Sequence, residues 1–186
     1  MLATDQGKIL LKLARGAIAI ELGIAANDCV EPEWSQNPGA TFVTLTLNGQ
    51  LRGCMGSLEA SRPLLDDVQH NAVASAFHDP RFDPLSQEEF HRVVIDVSLL
   101  SGPEIIVQSS QTDALSKLTP GTDGVILQYG AHRATYLPQV WEQLPEAKSF
   151  IAKLKRKAGL AEDFWSSDIK LSRYSVQNWS EDGQYG

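Results

Sequence analysis

One hairpin signal constrains this chain more than any other feature. Val43, Leu45 and Leu47 alternate with Thr44 and Thr46, the period of a half-buried strand. Asn48-Gly49 follows at once, a pair suited to a type I′ turn because both central residues take positive φ. A two-residue turn fixes the register of the returning strand. Leu47 is therefore expected opposite Gln50, Leu45 opposite Arg52 and Val43 opposite Cys54, which puts Arg52 and Cys54 on one side of the sheet. The returning strand reads Leu51-Arg52-Gly53-Cys54-Met55-Gly56, and its two glycines give the backbone room to bend or to meet a close neighbour.

The remaining elements surround this hairpin with helices. Residues 5–25 read as an amphipathic helix whose apolar stripe is Leu10, Leu13, Ala17, Ile20 and Ile24, with Lys8, Lys12 and Arg15 on the far side. The stretch Asn27 to Gly39 reads as a loop. Ser61 with Pro63 in the first turn opens a helix that packs through Leu64, Leu65, Val68, Ala72 and Ala76. That helix ends before Asp79-Pro80-Arg81-Phe82-Asp83-Pro84, a loop stiffened by two X-Pro steps. Ser86 and Glu89 fit a capping box, and Val93 to Leu100 reads as a strand. A short helix after Thr112 precedes a second hairpin, Gly124 to Leu137, turned at Gly130-Ala131. A helix is expected from Pro138 through Leu144, a longer one from Glu146 to Ala158 closed by Gly159, and a last strand from Ile169 to Val176. Residues 179–186 read as a mobile polar tail behind a single domain over 1–178. Hairpins interleaved with helices give an α+β fold with mainly antiparallel sheets.

Composition narrows the class. The 186 residues carry 16 Lys and Arg against 23 Asp and Glu, a net charge of −7 that disfavours nucleic acid and acidic membrane surfaces. The most apolar stretch, Ile9 to Ile24, is broken by Lys12, Arg15 and Glu21, so neither a membrane span nor a signal peptide is expected. The two cysteines, Cys29 and Cys54, make no disulfide framework, and a cytoplasmic protein with free thiols is the expectation.

Cys54 carries two readings. Beside the Arg52 guanidinium it would favour the thiolate, the form that attacks electrophiles and binds metals, with Gly53 and Gly56 opening the backbone to a ligand. Opposite Val43 it would equally serve as a small buried hydrophobe. Asp79 and Arg81 on the proline loop either face a ligand rigidly or form a structural corner in which Arg81 pairs with an acid. His70, His78, His91 and His132 read as surface or helix-end residues, and no HExxH or CxxC spacing supports a metal. No GxSxG elbow, Walker A loop or GxGxxG fingerprint points to a cofactor. Lys148, Lys153, Lys155, Arg156 and Lys157 form a basic helix face, either solvated or docking an acidic partner. Trp141 and Trp165 read as core anchors, and Trp179 as exposed.

The segment Leu51-Arg52-Gly53-Cys54-Met55-Gly56-Ser57-Leu58-Glu59 resembles the signature of the AmmeMemoRadiSam system protein A family, the AMMECR-type domain, with Met55 where that family usually carries isoleucine. Further blocks agree in order: Asn71 to Phe77 running into Asp79-Pro80-Arg81-Phe82, Val97 to Leu100, Gly121 to Val125, Ala134 to Trp141, and Lys157 to Leu160. The resemblance covers about residues 7 to 178 and implies two subdomains with a cleft near the Arg-Gly-Cys segment. It implies association with a Memo-like protein, itself similar to non-haem iron dioxygenases, and with a radical SAM protein. It brings no particular reaction or cofactor. Two functions follow: an enzyme or enzyme subunit using Cys54 and Arg52, with Gly53, Gly56, Asp79 and Arg81 binding the ligand, or a non-catalytic adaptor docking those partners through its basic helix.

Overall fold

The computed structural model of the chain describes residues 2–25 and 31–182. Cys29 and part of the loop expected from Asn27 lie outside the described residues. The elements in order are α1 (Thr4–Glu21), β1 (Pro38–Gly39), β2 (Thr41–Leu47), β3 (Gln50–Gly56), β4 (Arg62–Pro63), α2 (Leu64–Phe77), α3 (Gln87–Phe90), β5 (Val93–Leu100), β6 (Glu104–Ile105), α4 (Gln111–Ser116), β7 (Gly124–Tyr129), β8 (His132–Tyr136), α5 (Ala147–Lys157), β9 (Lys170–Tyr174) and β10 (Val176–Ser180). The fold is α+β with antiparallel sheets, and the chain divides into two compact units, Met1–Leu100 with Gln177–Gly186, and Ser101–Val176.

The first unit is a four-stranded sheet in the order β10-β5-β2-β3, with α1 and α2 packed on one face. Strand alternation sends Val43, Leu45, Val93, Ile95 and Val97 toward the helices. Leu64, Leu65, Val68, Ala72 and Ala76 of α2 meet them, as the sequence pattern requires. The buried side of α1 centres on Leu10, Ala14 and Ile18, while Ile20, expected in the stripe, is 67% exposed. At 100° per residue Ile20 stands about 120° round the helix from Ala14. The residue before α2 is Pro63, so the helix starts three residues beyond Ser61, and Arg62–Pro63 pairs instead with Pro38–Gly39. The chain's end also differs from expectation. Residues 176–180 form the edge strand β10, Trp179 is 3% exposed in the core, and Glu181 accepts from Arg15 and from the Ile95 amide. An indole that fills a core ties down a segment whose polar composition reads as a free tail.

The hairpin turn is as expected, with Asn48 at φ 54 and Gly49 at φ 75. The register is not. Leu47 pairs with Gln50 and Thr46 with Leu51, but Leu45 then pairs with Gly53, Thr44 with Cys54 and Val43 with Met55. Arg52 is the extra residue of a β-bulge, so the expected Leu45–Arg52 and Val43–Cys54 pairs do not form. The cause is α2. A Cβ built on Gly53 would lie 2.1 Å from the Ser75 carbonyl oxygen, so only glycine fits where that helix crosses the sheet. Inserting Arg52 turns Gly53 inward and sends Cys54 to the opposite face.

The second unit is a sheet in the order β6-β9-β7-β8 covered by α4 and α5. Trp141 stacks on Phe150 at 3.8 Å between ring centroids and donates to the Asp123 carbonyl. The basic face of α5 is not uniformly solvated. Lys155 is buried and donates to the Phe164 carbonyl at 2.9 Å, burial pushing its ammonium below the usual lysine range. Lys153 pairs with Glu162, and Lys157 donates to the Thr135 carbonyl over the Tyr136 ring.

Gly53→Ala is expected to lower unfolding stability by about 1–3 kcal/mol, because β3 and α2 must separate to admit the methyl group. Gly102→Ala, where a Cβ meets nothing within 4 Å, is expected to change it by less than about 0.5 kcal/mol. Urea unfolding of both variants checks this, and equal behaviour would contradict the contact.

Candidate functional site

The bulge delivers the 52–56 segment to a cluster of polar anchors. β3 is the edge of its sheet, so its outward amides need partners other than a strand. The Cys54 N–H donates to Asp79 Oδ2 at 2.9 Å. The Met55 N–H donates to the Ser75 hydroxyl at 2.8 Å, and that hydroxyl lies 2.7 Å from both the Val43 and Asn71 carbonyl oxygens. Below these, the buried Asp67 accepts from the Thr41 amide and hydroxyl and from the Ser57 hydroxyl and Asn71 amide, binding β2, the end of β3 and α2 together. Gly56 is a packing glycine: a Cβ there would sit 2.3 Å from the Phe42 ring.

Asp79 is the hub of the clamp. It is 4% exposed, and both its oxygens are occupied. Oδ1 accepts from the Arg81 N–H and Nε, and Oδ2 from Arg81 Nη2 at 2.6 Å and from the Cys54 amide. The Arg81 guanidinium, followed by the amides of Cys54 and Arg81, holds the Asp79 carboxyl well below the usual carboxylate range against the opposing effect of burial. Arg81 Nη2 also approaches the Cys54 carbonyl at 3.4 Å, so one ion pair grips the cysteine's main chain from both sides. Arg81 therefore pairs with an acid, as one of the two readings of the proline loop required.

Arg52 is engaged elsewhere. Its Nε and Nη2 form a two-pronged pair with Glu89 at 2.9 and 3.0 Å, and Nη2 also donates to the Asp83 carbonyl. Arg52 Nη1 is buried without a partner. The guanidinium nearest the Cys54 main chain is thus that of Arg81 rather than Arg52. The two guanidiniums lie 5.8 and 5.5 Å from the Phe82 ring centroid. Together with Pro80, Asp83, Pro84 and Glu89 they line a cavity of about 540 Å³. Cys54 is not among its lining residues and meets the wall through its main chain.

The Cys54 side chain stands on the face away from α1 and α2. It is half-buried, and its Sγ lies 3.3 Å from Thr44 Oγ1, which donates to it. The sulfur therefore has a polar neighbour, unlike the apolar pairing with Val43 that the expected register implied. Phe82, Ser75, Thr44 and the pairing role of Glu89 were not identified from the sequence; for Glu89 the capping box was the only signal. Among the described residues no group of three or more His, Cys, Asp and Glu converges on a metal site, and no helix is long and apolar enough to cross a membrane.

This arrangement spans most of a known domain. The AMMECR1 family model matches residues 11–179. The chain belongs to the AMMECR1 family. A protein of Methanothermobacter thermautotrophicus is 36% identical over 188 residues, covering 98% of this chain and 97% of the relative. Protein MJ0810 of Methanocaldococcus jannaschii is 33% identical, covering 97% and 92%. The crystal structure of the uncharacterized protein PH0010 from Pyrococcus horikoshii superposes with a TM-score of 0.83 at 30% identity, over 98% of this chain and 94% of that one. The segment Leu51 to Glu59, on which the resemblance rests, contains most of β3, whose residues Cys54 and Met55 are held by Asp79, Arg81 and Ser75.

The Arg52–Glu89 pair leaves a pH signature. Arg52 holds the Glu89 carboxyl down at about 2, well below the ordinary glutamate range, helped by the Ser86 amide. The folded chain thus binds this proton more weakly than the unfolded one. The stabilisation is complete above about pH 4.5 and is lost as pH falls toward about 2. Arg52→Gln is expected to lower stability at pH 7 by about 1–3 kcal/mol and to shrink the difference between pH 7 and pH 3. Urea unfolding at both pH values reads it, and an unchanged difference would contradict the pairing.

Proposed function

We propose that this AMMECR1-family chain is an enzyme, or a subunit of one, that acts on a small molecule or a modified side chain through the Cys54 thiol. The observation that carries the reading is the clamp: an ion pair between the buried Asp79 and the exposed Arg81 fixes the amide and carbonyl of Cys54 while its thiol stays half-buried beside a hydroxyl. Holding a nucleophile in one geometry is what lowers the entropic part of a barrier. In this reading Cys54 is the nucleophile, Arg81 the cation at its main chain, and Arg52 and Asp79 the groups that hold the cavity wall. Gly53 and Gly56 contribute by letting α2 and β2 come close.

The reading also makes the chain one component of a process shared with a Memo-like and a radical SAM protein, which rests on the family resemblance. The adaptor alternative draws less support, because its basic helix spends Lys155 in the core and Lys153 on Glu162.

Arg81 gives the test. Hydrogen bonds to Asp79 raise the Arg81 guanidinium above its ordinary range against the opposing effect of burial and keep it charged, so an anionic alkylating agent gains at Cys54 relative to a neutral one. The ratio of iodoacetate to iodoacetamide rates at Cys54, read by peptide mass spectrometry on the native chain, is expected to fall about twofold to fivefold in Arg81→Gln. A ratio untouched by the substitution, or a thiol that neither reagent reaches in the native protein, would overturn the reading.

A further inference from the structure

The outer face of the first unit's sheet holds a polar row that the clamp does not use. Thr44 of β2 is the register partner of Cys54 on β3 and, on its other side, of Asp96 on β5. Directly opposed residues project to the same face, so a thiol, a hydroxyl and a carboxyl stand side by side across three strands. Their neighbours along these strands, Val43, Leu45, Ile95 and Val97, all point the other way into the helices. Thr44 Oγ1 already donates to Cys54 Sγ at 3.3 Å. Opposed Cβ atoms lie about 4.5–5.5 Å apart, so an Asp96 oxygen comes within reach of the Thr44 hydroxyl when the Asp96 side chain turns from its hydrogen bond to Ser180, with Thr44 still on the sulfur.

We infer that Cys54, Thr44 and Asp96 form one proton path, with Asp96 the general base for the thiol and Thr44 the positioning hydroxyl between them. This rests on the reading of Cys54 as the reacting group. For transfer the Thr44 hydroxyl turns its hydrogen from the sulfur toward Asp96; the Sγ–H bond then breaks as its proton moves to Thr44 Oγ1, and the Thr44 O–H proton passes to an Asp96 oxygen. The products are a thiolate and a neutral carboxylic acid, so charge is conserved and no further reactant is needed. When a leaving group must be protonated, the same proton returns along the row.

The surroundings of Asp96 suit this role. Burial raises its carboxyl above the ordinary range, with Asp182 and Glu181 adding repulsion and a Ser180 hydrogen bond opposing both. Glu181 is itself tied to Arg15. At the other end, Cys54 has Arg81 and Asp79 at its main chain. A carboxylate that burial makes a readier proton acceptor suits the receiving end of the row.

The path is tested by iodoacetamide labelling of Cys54 in the native chain at pH 6.5, read by peptide mass spectrometry. Thr44→Val and Asp96→Asn are each expected to slow labelling at least about fivefold, and Thr44→Ser to stay within about twofold of the parent. The double variant Thr44→Val with Asp96→Asn is expected to be no slower than the slower single one, since the two act as a unit. An Asp96 that acts only as a repelling charge gives the opposite sign: Asp96→Asn labels as fast as the parent or faster, which overturns the proposal, as does parental labelling in Thr44→Val. Thermal melting of each variant accompanies the rates, and Asp96→Asn decides the matter if Thr44→Val unfolds. If parental Cys54 labels only after unfolding in urea, the proposed function itself fails and takes this path with it. If Cys54 labels natively and the variants change nothing, only the path fails.

Discussion

The close approach of α2 to β3 at Gly53 sets the rest of the site. With no room for a Cβ against the Ser75 carbonyl, β3 must turn a glycine inward at that point. The regular register set by the Asn48-Gly49 turn would have put Arg52 there. A long cationic side chain under a helix has no solvent and no counter-ion, so the strand instead extrudes one residue as a bulge. Everything chemical about the segment follows from that extrusion. Arg52 swings to Glu89, and Cys54 moves from the packed face to the polar one.

A bulged edge strand needs its free amides satisfied, and here the anchors come from α2 and the loop that follows it. Ser75 on the helix and Asp79 just beyond its end take the amides of Met55 and Cys54. Asp79 is buried and stays ionised because Arg81, two residues on, closes a short ring of hydrogen bonds with it. The flanking Pro80 and Pro84 restrict the loop that carries this pair, which limits the entropy lost in holding it. The result is a cysteine whose backbone is fixed by charge while its side chain retains access to a hydroxyl. The segment Leu51 to Glu59 thus reads as a geometric unit, in which each glycine answers a close neighbour and Arg52 answers an acid.

Much of this was legible in the sequence, and the failures have physical causes. The turn at Asn48-Gly49 and the packed face of α2 depend on local φ preference and on periodicity, and both are written in neighbouring residues. The bulge depends on how closely a helix 20 residues away crosses the strand, which no local pattern encodes. Glu89 announced itself only as a helix cap, and its pairing with Arg52 spans 37 residues. Lys155 sits in a run of cations that reads as one solvated face, yet it turns into the core to meet a carbonyl. Trp179 lies in a polar segment, and only its contact with the core shows that β10 completes the sheet. The resemblance pointed to this strand, but not to the face on which its thiol stands.

The central claim is that the fold holds Cys54 as an accessible, activated thiol rather than a packed one. The most direct measurement is its second-order labelling rate with iodoacetamide at pH 7 in the native chain, divided by the rate for the same residue in urea. The account predicts a ratio above one, because the native site adds a hydroxyl donor and a fixed backbone to a thiol that remains within reach. A ratio far below one would show the thiol sealed by its surroundings and would contradict the account.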